Sequence, residues 1–467
     1  MRIVLTTHQF LPDYYAGTEI LTYSVARELL ARGHEVAVFT GHPAKNPMPD
    51  ERRFDEYEID GLRVHRFHHA FVPLGAQKVI AEIEYNNHLA SGYFKGILER
   101  FKPDVVHFFH FSRLGVALVD VVADTGIPAY YTPTDFWAVC PLSQLLLPNG
   151  RVCPGPSPFG GNCVRHVGSL GSRRRRLIRS LPQMAVDGVV ALARSRILPN
   201  FPHKGDIRAL SIRAGFTVAR LNMLNGIVAP TQLMADVLIR NGVNADLITR
   251  SAYGIDVTGF DTVREGRVSD SVVHIGYIGT LGPHKGCDVL IRAFNGLREK
   301  SARLHVYGDE GHFPSYVKDL HAAADGNDAI TFRGTFANAD IGRALAGLDV
   351  LVVPSVWYEN APLVVYSALA AKRPVIASNF PGLSEVVQNE RNGLLFEPRN
   401  ATALERCLRR LFREPGLLER LGANCKPPKS IARYVDELMV LYAKKDGAAR
   451  HLNGQQAFLS RGPSCIG

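Results

Sequence analysis

The chain has 467 residues, 46 % hydrophobic and 21 % charged, which is ordinary for a soluble globular protein and too long for one core, so two domains are expected. No run of about 18 uninterrupted apolar residues occurs, which argues against a spanning helix; the start MRIVLTTHQF carries no small-residue cleavage site, so a cytoplasmic protein is expected. The formal net charge is +10, and residues 165–213 supply +9 of it, with 11 Lys+Arg (Arg173 to Arg176 and Arg179 among them) against Asp187 and Asp206.

In chain order, short β-rich runs alternate with helical patterns: RIVLTT, the helix EILTYSVARELLARG, HEVAVFT, RVHRF, a helix near 77–100, DVVHFF, a helix near 114–125, and PAYYTP. Helices of ten or more residues between strands of four to six predict parallel βαβ units, an α/β, doubly wound fold. A loop rich in Pro and Gly follows (138–170), then the basic segment 165–213. The pattern resumes with NGIVAPT, the helix QLMADVLIRNG and LITRSAYGID. The polar stretch DTVREGRVSDSV reads as a linker. A second series runs through VHIGYIG, the helix CDVLIRAFNGLREK, RLHVYG, a helix near 314–324, AITFRG, a helix near 338–347, DVLVVPS, a helix near 362–371 and PVIAS. The boundaries expected are a first Rossmann-like domain 1–262, a second 263–428, a final helix 429–445 and a disordered tail 446–467.

Seven cysteines are an odd number, and a disulfide framework is not expected in a cytoplasmic chain. Cys140, Cys153 and Cys163, with His166 three residues past the last, form a ligand set that could hold a tetrahedral structural zinc; reduced thiols in a packed loop are the other reading. The basic segment suits an anionic surface, lipid headgroups or nucleic acid, although charge runs are ordinarily solvated helix faces. A nucleic-acid partner is disfavoured, since no recognition module or interleaved aromatics accompany the block. RRRRLIRSLPQM, with Arg beside apolar residues, fits peripheral attachment to an anionic inner membrane leaflet.

In doubly wound sheets ligands bind beyond the carboxyl ends of the strands. Three loops there carry chemistry. In AGTEILTYSV, Gly17 lets backbone approach a ligand before a helix starts. In YIGTLGPHKGCDV, Gly279, Thr280, Lys285 and Gly286 offer a turn, a cation and a helix N-terminus, a phosphate cradle that is neither a P-loop nor a dinucleotide fingerprint. In SVWYENAPLVV, Glu359 precedes a helix whose first position suits Pro362 and whose free amides at Leu363 and Val364 would attract an anion.

With these residues in place, the chain resembles the retaining GT-B glycosyltransferases of family GT4 over nearly its whole length, from AGTE through DVVHFFHF, TPTDFWAVCP, VAPTQLMADVL, YGID, GTLGPHKG, VPSVWYENAPLVVYSALA and PVIASNFPGLSEVV to NGLLFEP. The resemblance implies two Rossmann-like domains facing a cleft. It also implies a nucleotide-sugar donor held by the second, an acceptor held by the first, a final helix crossing back to the first, and a hexosyltransferase-like enzyme that needs no cofactor or metal for catalysis. Carried over, Gly17 approaches the donor phosphates or the acceptor, Lys285 neutralises the diphosphate, Glu359 bonds the transferred sugar, and Leu363 and Val364 bind the distal phosphate. Three positions depart. Ser367 stands where the family places a second Glu for the ribose, and can make one of its two bonds; Thr134 replaces the histidine that usually precedes Asp135; Thr280 replaces a basic residue. Asp135 is kept as a catalytic candidate, and His107, His110, Thr134 and Asp135 are acceptor-side candidates, with a histidine of VVHFFHF able to substitute for the missing one. The expected function is transfer of a sugar to a glycan or lipid-linked acceptor in cell-surface polysaccharide biosynthesis. The alternative is a degenerate GT-B subunit that binds nucleotide or glycan without transfer.

Overall fold

A computed structural model describes residues 1–147, 151–170, 180–195, 201–258, 260 and 272–443. The Arg173–Arg176 block, most of the linker and the tail lie outside them. The first sheet has eight strands: β1 (Arg2–Thr7), β2 (Glu35–Pro43), β3 (Phe54–Ile59), β4 (Leu62–His69), β5 (Val105–Phe108), β6 (Ala129–Tyr131), β7 (Gly226–Ala229) and β8 (Ile248–Arg250). Their order is β3-β4-β2-β1-β5-β6-β7-β8, and every pair is parallel except β3 with β4. The second sheet holds β9 (Val273–Ile278), β10 (Ala302–Tyr307), β11 (Ile330–Gly334), β12 (Val350–Val353), β13 (Val375–Ser378) and β14 (Gly393–Phe396), all parallel, in the order β11-β10-β9-β12-β13-β14. Central strands such as β5 and β12 are buried at every residue because helices cover both faces.

The helices that position the site are α1 (Gly17–Ala31), α2 (Gly161–Ser169), α3 (Gln183–Arg194), α4 (Lys204–Leu221), α5 (Gln232–Arg240), α6 (Cys287–Leu297), α7 (Leu363–Ala370) and α8 (Ile431–Ala443). Helix α1 turns Leu21, Val25, Ala26 and Leu29 into the core, the 3.6-residue repeat of an amphipathic helix. Between β6 and β7, where only a loop and a basic segment were expected, α2, α3 and α4 pack on one another. The helix expected near 77–100 is broken: Ile80–Ile83 is a short turn, and His88–Phe101 restarts where Asn87 Oδ1 accepts the Ala90 N–H at 3.0 Å. The asparagine is the N-cap of the second helix alone; the first has already ended at Ile83. The helix expected near 338–347 shortens to Ile341–Ala346 behind a 3₁₀ turn.

One hydrophobic core joins the halves. It runs from Ile3 and Leu5 through Leu348 and Val365 to Tyr434, Leu438 and Tyr442 of α8. Helix α8 thus crosses back to the first sheet, where Asp436 pairs with Arg32 at 2.7 Å and Tyr130 donates to the Leu441 carbonyl at 2.8 Å. Polar contacts also bridge the halves. Glu385 accepts the N–H groups of Gln232 (2.6 Å) and Leu233 (2.9 Å), the first amides of α5. Asn360 donates to the Pro133 carbonyl (3.0 Å) and accepts from Thr231 (3.1 Å).

Candidate active site

The two halves meet through strand-to-helix loops. A Cβ on Gly17, at the start of α1, would lie 3.9 Å from Leu363 Cδ1, at the start of α7, so the two helix N-termini face each other. Pro362 is the residue before α7 rather than its first, with φ −64° and ψ 124°. The first amides of a helix have no partner within it, so those of Leu363 and Val364 are open at this meeting point.

Beside them Glu359 is buried, 4 % exposed. Its Oε1 accepts three hydrogen bonds, from Lys285 Nζ at 2.7 Å, Ser355 Oγ at 2.5 Å and Trp357 Nε1 at 2.9 Å; Oε2 takes none of them. Burial alone would push this carboxyl up, but the Lys285 ammonium and the three donors outweigh it and hold it below its ordinary value. Glu359 is therefore an anion at neutral pH. Lys285 also lies 5.1 Å from the centre of the Trp357 ring. Gly286 makes this approach feasible: at φ +71°, a Cβ there would fall 2.1 Å from the Pro354 carbonyl oxygen. Val356 N–H then donates to the His284 carbonyl at 2.9 Å, joining the two loops.

The other donor-side positions are less open. The Gly279 N–H donates to the Tyr307 carbonyl at 3.1 Å, whereas Thr280 is exposed. Ser367 spends its hydroxyl hydrogen on the Leu363 carbonyl one turn back, at 3.1 Å.

On the first half, Thr18 donates to Thr134 at 2.9 Å, tying the start of α1 to the loop after β6. Asp135 accepts from the Trp137 N–H at 2.7 Å and contacts His110 Nε2 at 2.9 Å. His110 Nδ1 accepts the Ser112 N–H at 3.0 Å, so the ring proton sits on Nε2 and is donated to Asp135. Two residues that sequence reasoning passed over complete this wall. The His8 ring packs at a tilt of 39° on His110, with centroids 4.1 Å apart, and His8 Nε2 lies 3.5 Å from Glu19 Oε1. Glu19 is wholly buried, and burial raises its pKa, against the smaller opposing pull of Gln9 and nearby backbone N–H groups, while burial lowers that of His8. Their position one residue beyond β1 and two beyond Gly17 was the available signal.

Two expectations are corrected. His107 does not open on the cleft: it is wholly buried, its Nδ1 meeting Tyr442 Oη at 2.6 Å and its Nε2 Thr132 Oγ1 at 2.8 Å. Side chains alternate along β5, and this one points to α8; burial pushes its pKa down to about 3. The zinc set Cys140, Cys153, Cys163 and His166 is not assembled. Among the described residues no group of three His, Cys, Asp or Glu is placed to hold a metal ion. Cys140 and Cys153 belong to the core, while Cys163 and His166 line different cavities. The second of these, about 640 Å³, lies between Leu142, Leu146 and His166 of the first half and His284, Asp288 and Val356 of the second, bordering the Lys285 turn.

Two largely parallel α/β sheets, with a last helix returned to the first, are shared with solved glycosyltransferases. A glycosyltransferase of Rickettsia africae superposes with TM-score 0.62 at 16 % identity, over 95 % of this chain and 98 % of that one. Anabaena Alr3699/HepE, solved in complex with UDP and glucose, gives 0.61 at 15 % identity, over 95 % and 99 %. In sequence, residues 16–254 match the glycosyl transferase 4-like domain and residues 272–414 the glycosyl transferases group 1. The chain belongs to this family, the group 1 (GT4) glycosyltransferases of GT-B fold. Similar curated proteins include a D-inositol 3-phosphate glycosyltransferase of Streptomyces bingchenggensis, 28 % identical over 56 % of this chain and 59 % of that one. An uncharacterized glycosyltransferase of Methanocaldococcus jannaschii is 32 % identical over 34 % and 40 %. The aligned stretches thus span about two fifths to three fifths of these relatives.

Proposed function

We propose that the chain is a retaining transferase that moves a sugar from a nucleoside-diphosphate sugar to a glycan or lipid-linked acceptor, in cell-surface polysaccharide biosynthesis. The observation that carries this reading is the Lys285–Glu359 pair at 2.7 Å, beside the open N-terminus of α7 and across from Gly17. Glu359 Oε2 would bond a hydroxyl of the transferred sugar. Lys285 has two N–H groups besides the one given to Glu359, and with the α7 amides these would take the charge that grows on the leaving diphosphate. The acceptor attacks on the face the diphosphate leaves. A diphosphate oxygen takes its proton, no protein nucleophile is required, and Lys285 and the α7 dipole supply the positive charge. Asp135, oriented by His110 and the Trp137 amide, and Thr134 would hold the acceptor. UDP in the Anabaena structure favours a UDP-sugar as the first donor to try.

A second reading, binding without transfer, draws on Ser367, whose hydrogen is already committed to Leu363. A screen of UDP-, GDP-, ADP- and dTDP-sugars for thermal stabilisation and slow hydrolysis decides between them. The expected outcome is one donor that both stabilises the chain and is hydrolysed, with both effects lost in Lys285→Ala; stabilisation without turnover, with acceptors added, supports the binding subunit.

The membrane partner rests on the basic segment and on Leu170, Leu181, Met184 and Leu192, which are exposed around it. Among the described residues no helix is long and apolar enough to cross a membrane. Replacing Arg173 to Arg176 by Glu is expected to abolish co-sedimentation with anionic vesicles, and unchanged sedimentation would remove the idea.

A further inference from the structure

The cavity of about 640 Å³ between the halves has two unlike walls. The first half contributes Leu142, Leu146 and Leu147 from the loop after β6, and Leu170 just past α2. Leu142 and Leu147 lean on the core of the first half, but Leu146 and Leu170 join none of the three hydrophobic cores, and Leu170 is 59 % exposed. Apolar surface left in water is favourable to cover.

The second half contributes a polar wall. Asp288 and Arg292 stand one turn apart on α6 and pair at 2.7 Å, and the Tyr316 hydroxyl donates to Asp288 at 2.6 Å. Arg399 donates to the carbonyl of Val356, another lining residue, at 2.7 Å. Burial, helped by Lys285, lowers His284 to about 4, so its ring is neutral at pH 7. Two guanidinium groups thus face one carboxylate, and both arginines are exposed. This wall is net cationic, and its cations are within reach of a solute. One end of the cavity adjoins the reaction centre: His284 meets the Trp357 ring edge-on, with centroids 4.8 Å apart, and Trp357 donates to Glu359.

The geometry points to an acceptor subsite in this cavity, for a molecule in which a phosphate joins an apolar chain to the sugar-accepting head. The chain lies on Leu146 and Leu170, the phosphate between Arg292 and Arg399, and the head toward Lys285 and Glu359. A cavity of this volume is the size of ordinary ligand sites. The inference rests on the transferase reading and narrows its acceptor to the lipid-linked kind, since a free glycan gains nothing from the leucines.

Decyl phosphate, well below its micellar range, is titrated calorimetrically into the full chain without donor, beside orthophosphate and decyltrimethylammonium. The expected result is saturable binding of decyl phosphate, with the other two at least tenfold weaker. Leu170→Asp and Arg292→Ala each weaken it about tenfold. Both positions are exposed, so the unliganded melting temperatures stay near the parent's. Met184→Asp changes an exposed apolar residue of α3 that does not line the cavity, and leaves the affinity as it was. Equal binding of the two decyl compounds overturns the proposal, as does an unchanged affinity in both cavity variants or an equal loss in Met184→Asp. A failed donor screen with decyl phosphate still bound strikes the transferase reading alone. A donor that binds and turns over, with no decyl phosphate bound, strikes this inference alone.

Discussion

Glu359 is a buried anion whose ionisation depends on one lysine, so the two residues answer as a unit. Lys285→Ala leaves the carboxylate without its cation and is expected to cost about 3 kcal/mol of stability, in the range for breaking a buried pair. The double variant Lys285→Ala, Glu359→Gln should recover part of that loss, and urea unfolding of the four proteins measures the coupling. Each single variant should also lower transfer about 10²-fold or more. Because the folded pKa of Glu359 lies below its ordinary 4.5, its stabilising effect is complete above 4.5 and is lost as pH falls through the folded value. The melting temperature of the wild type should therefore drop towards that of Glu359→Gln on acidification, and a constant gap across that range would contradict the assignment. The placement of Gly17, Lys285, Glu359 and Leu363 was legible in the sequence because each stands just before or at the start of a helix that follows a strand, where chain order alone fixes the position. The His8–His110 contact was not, since it joins loops about a hundred residues apart and depends on the β1–β5 pairing.

Among the elements, the turn before α6 decides whether that pair forms at all. Gly286→Ala would put a methyl against the Pro354 carbonyl in a left-handed backbone, at a cost of about 1–3 kcal/mol. The loops should part, and activity should fall with stability in that variant, whereas Gly326→Ala, left-handed as well but open around its Cβ, should lose stability alone. A steady-state assay beside thermal melts separates the two cases. The parallel strands and their helices were read from period and order. The β3–β4 hairpin was missed although its Asp60-Gly61 turn, with φ of 49° and 76°, is a recognisable hairpin signal. Helices α2 to α4 were missed for a different reason: Pro, Gly and Arg dominate that stretch, and its helices form by packing on one another rather than by propensity.

For the molecule as a whole, the return of α8 is secured by a buried polar line, His107–Tyr442 and Thr132–Tyr434, that the sequence does not disclose because its partners lie some 300 residues apart. Tyr442→Phe removes one partner of a buried imidazole and is expected to cost about 1–3 kcal/mol. Amide exchange in 431–443 should quicken while the second sheet stays protected; uniform loss of protection would mean the helix is not an independent clasp. The contact made by Glu385 has a further bearing. A carboxylate from one half finishes the first turn of α5 in the other, so that helix is complete only in company. A hybrid joining this chain's first half to the second half of a relative inherits a frayed α5 unless the graft carries an acid at the same place, a defect of about 1 kcal/mol. Exchange of halves between relatives, whether by recombination or in the laboratory, is thus filtered in part by a side chain whose task is to finish a helix in the other half.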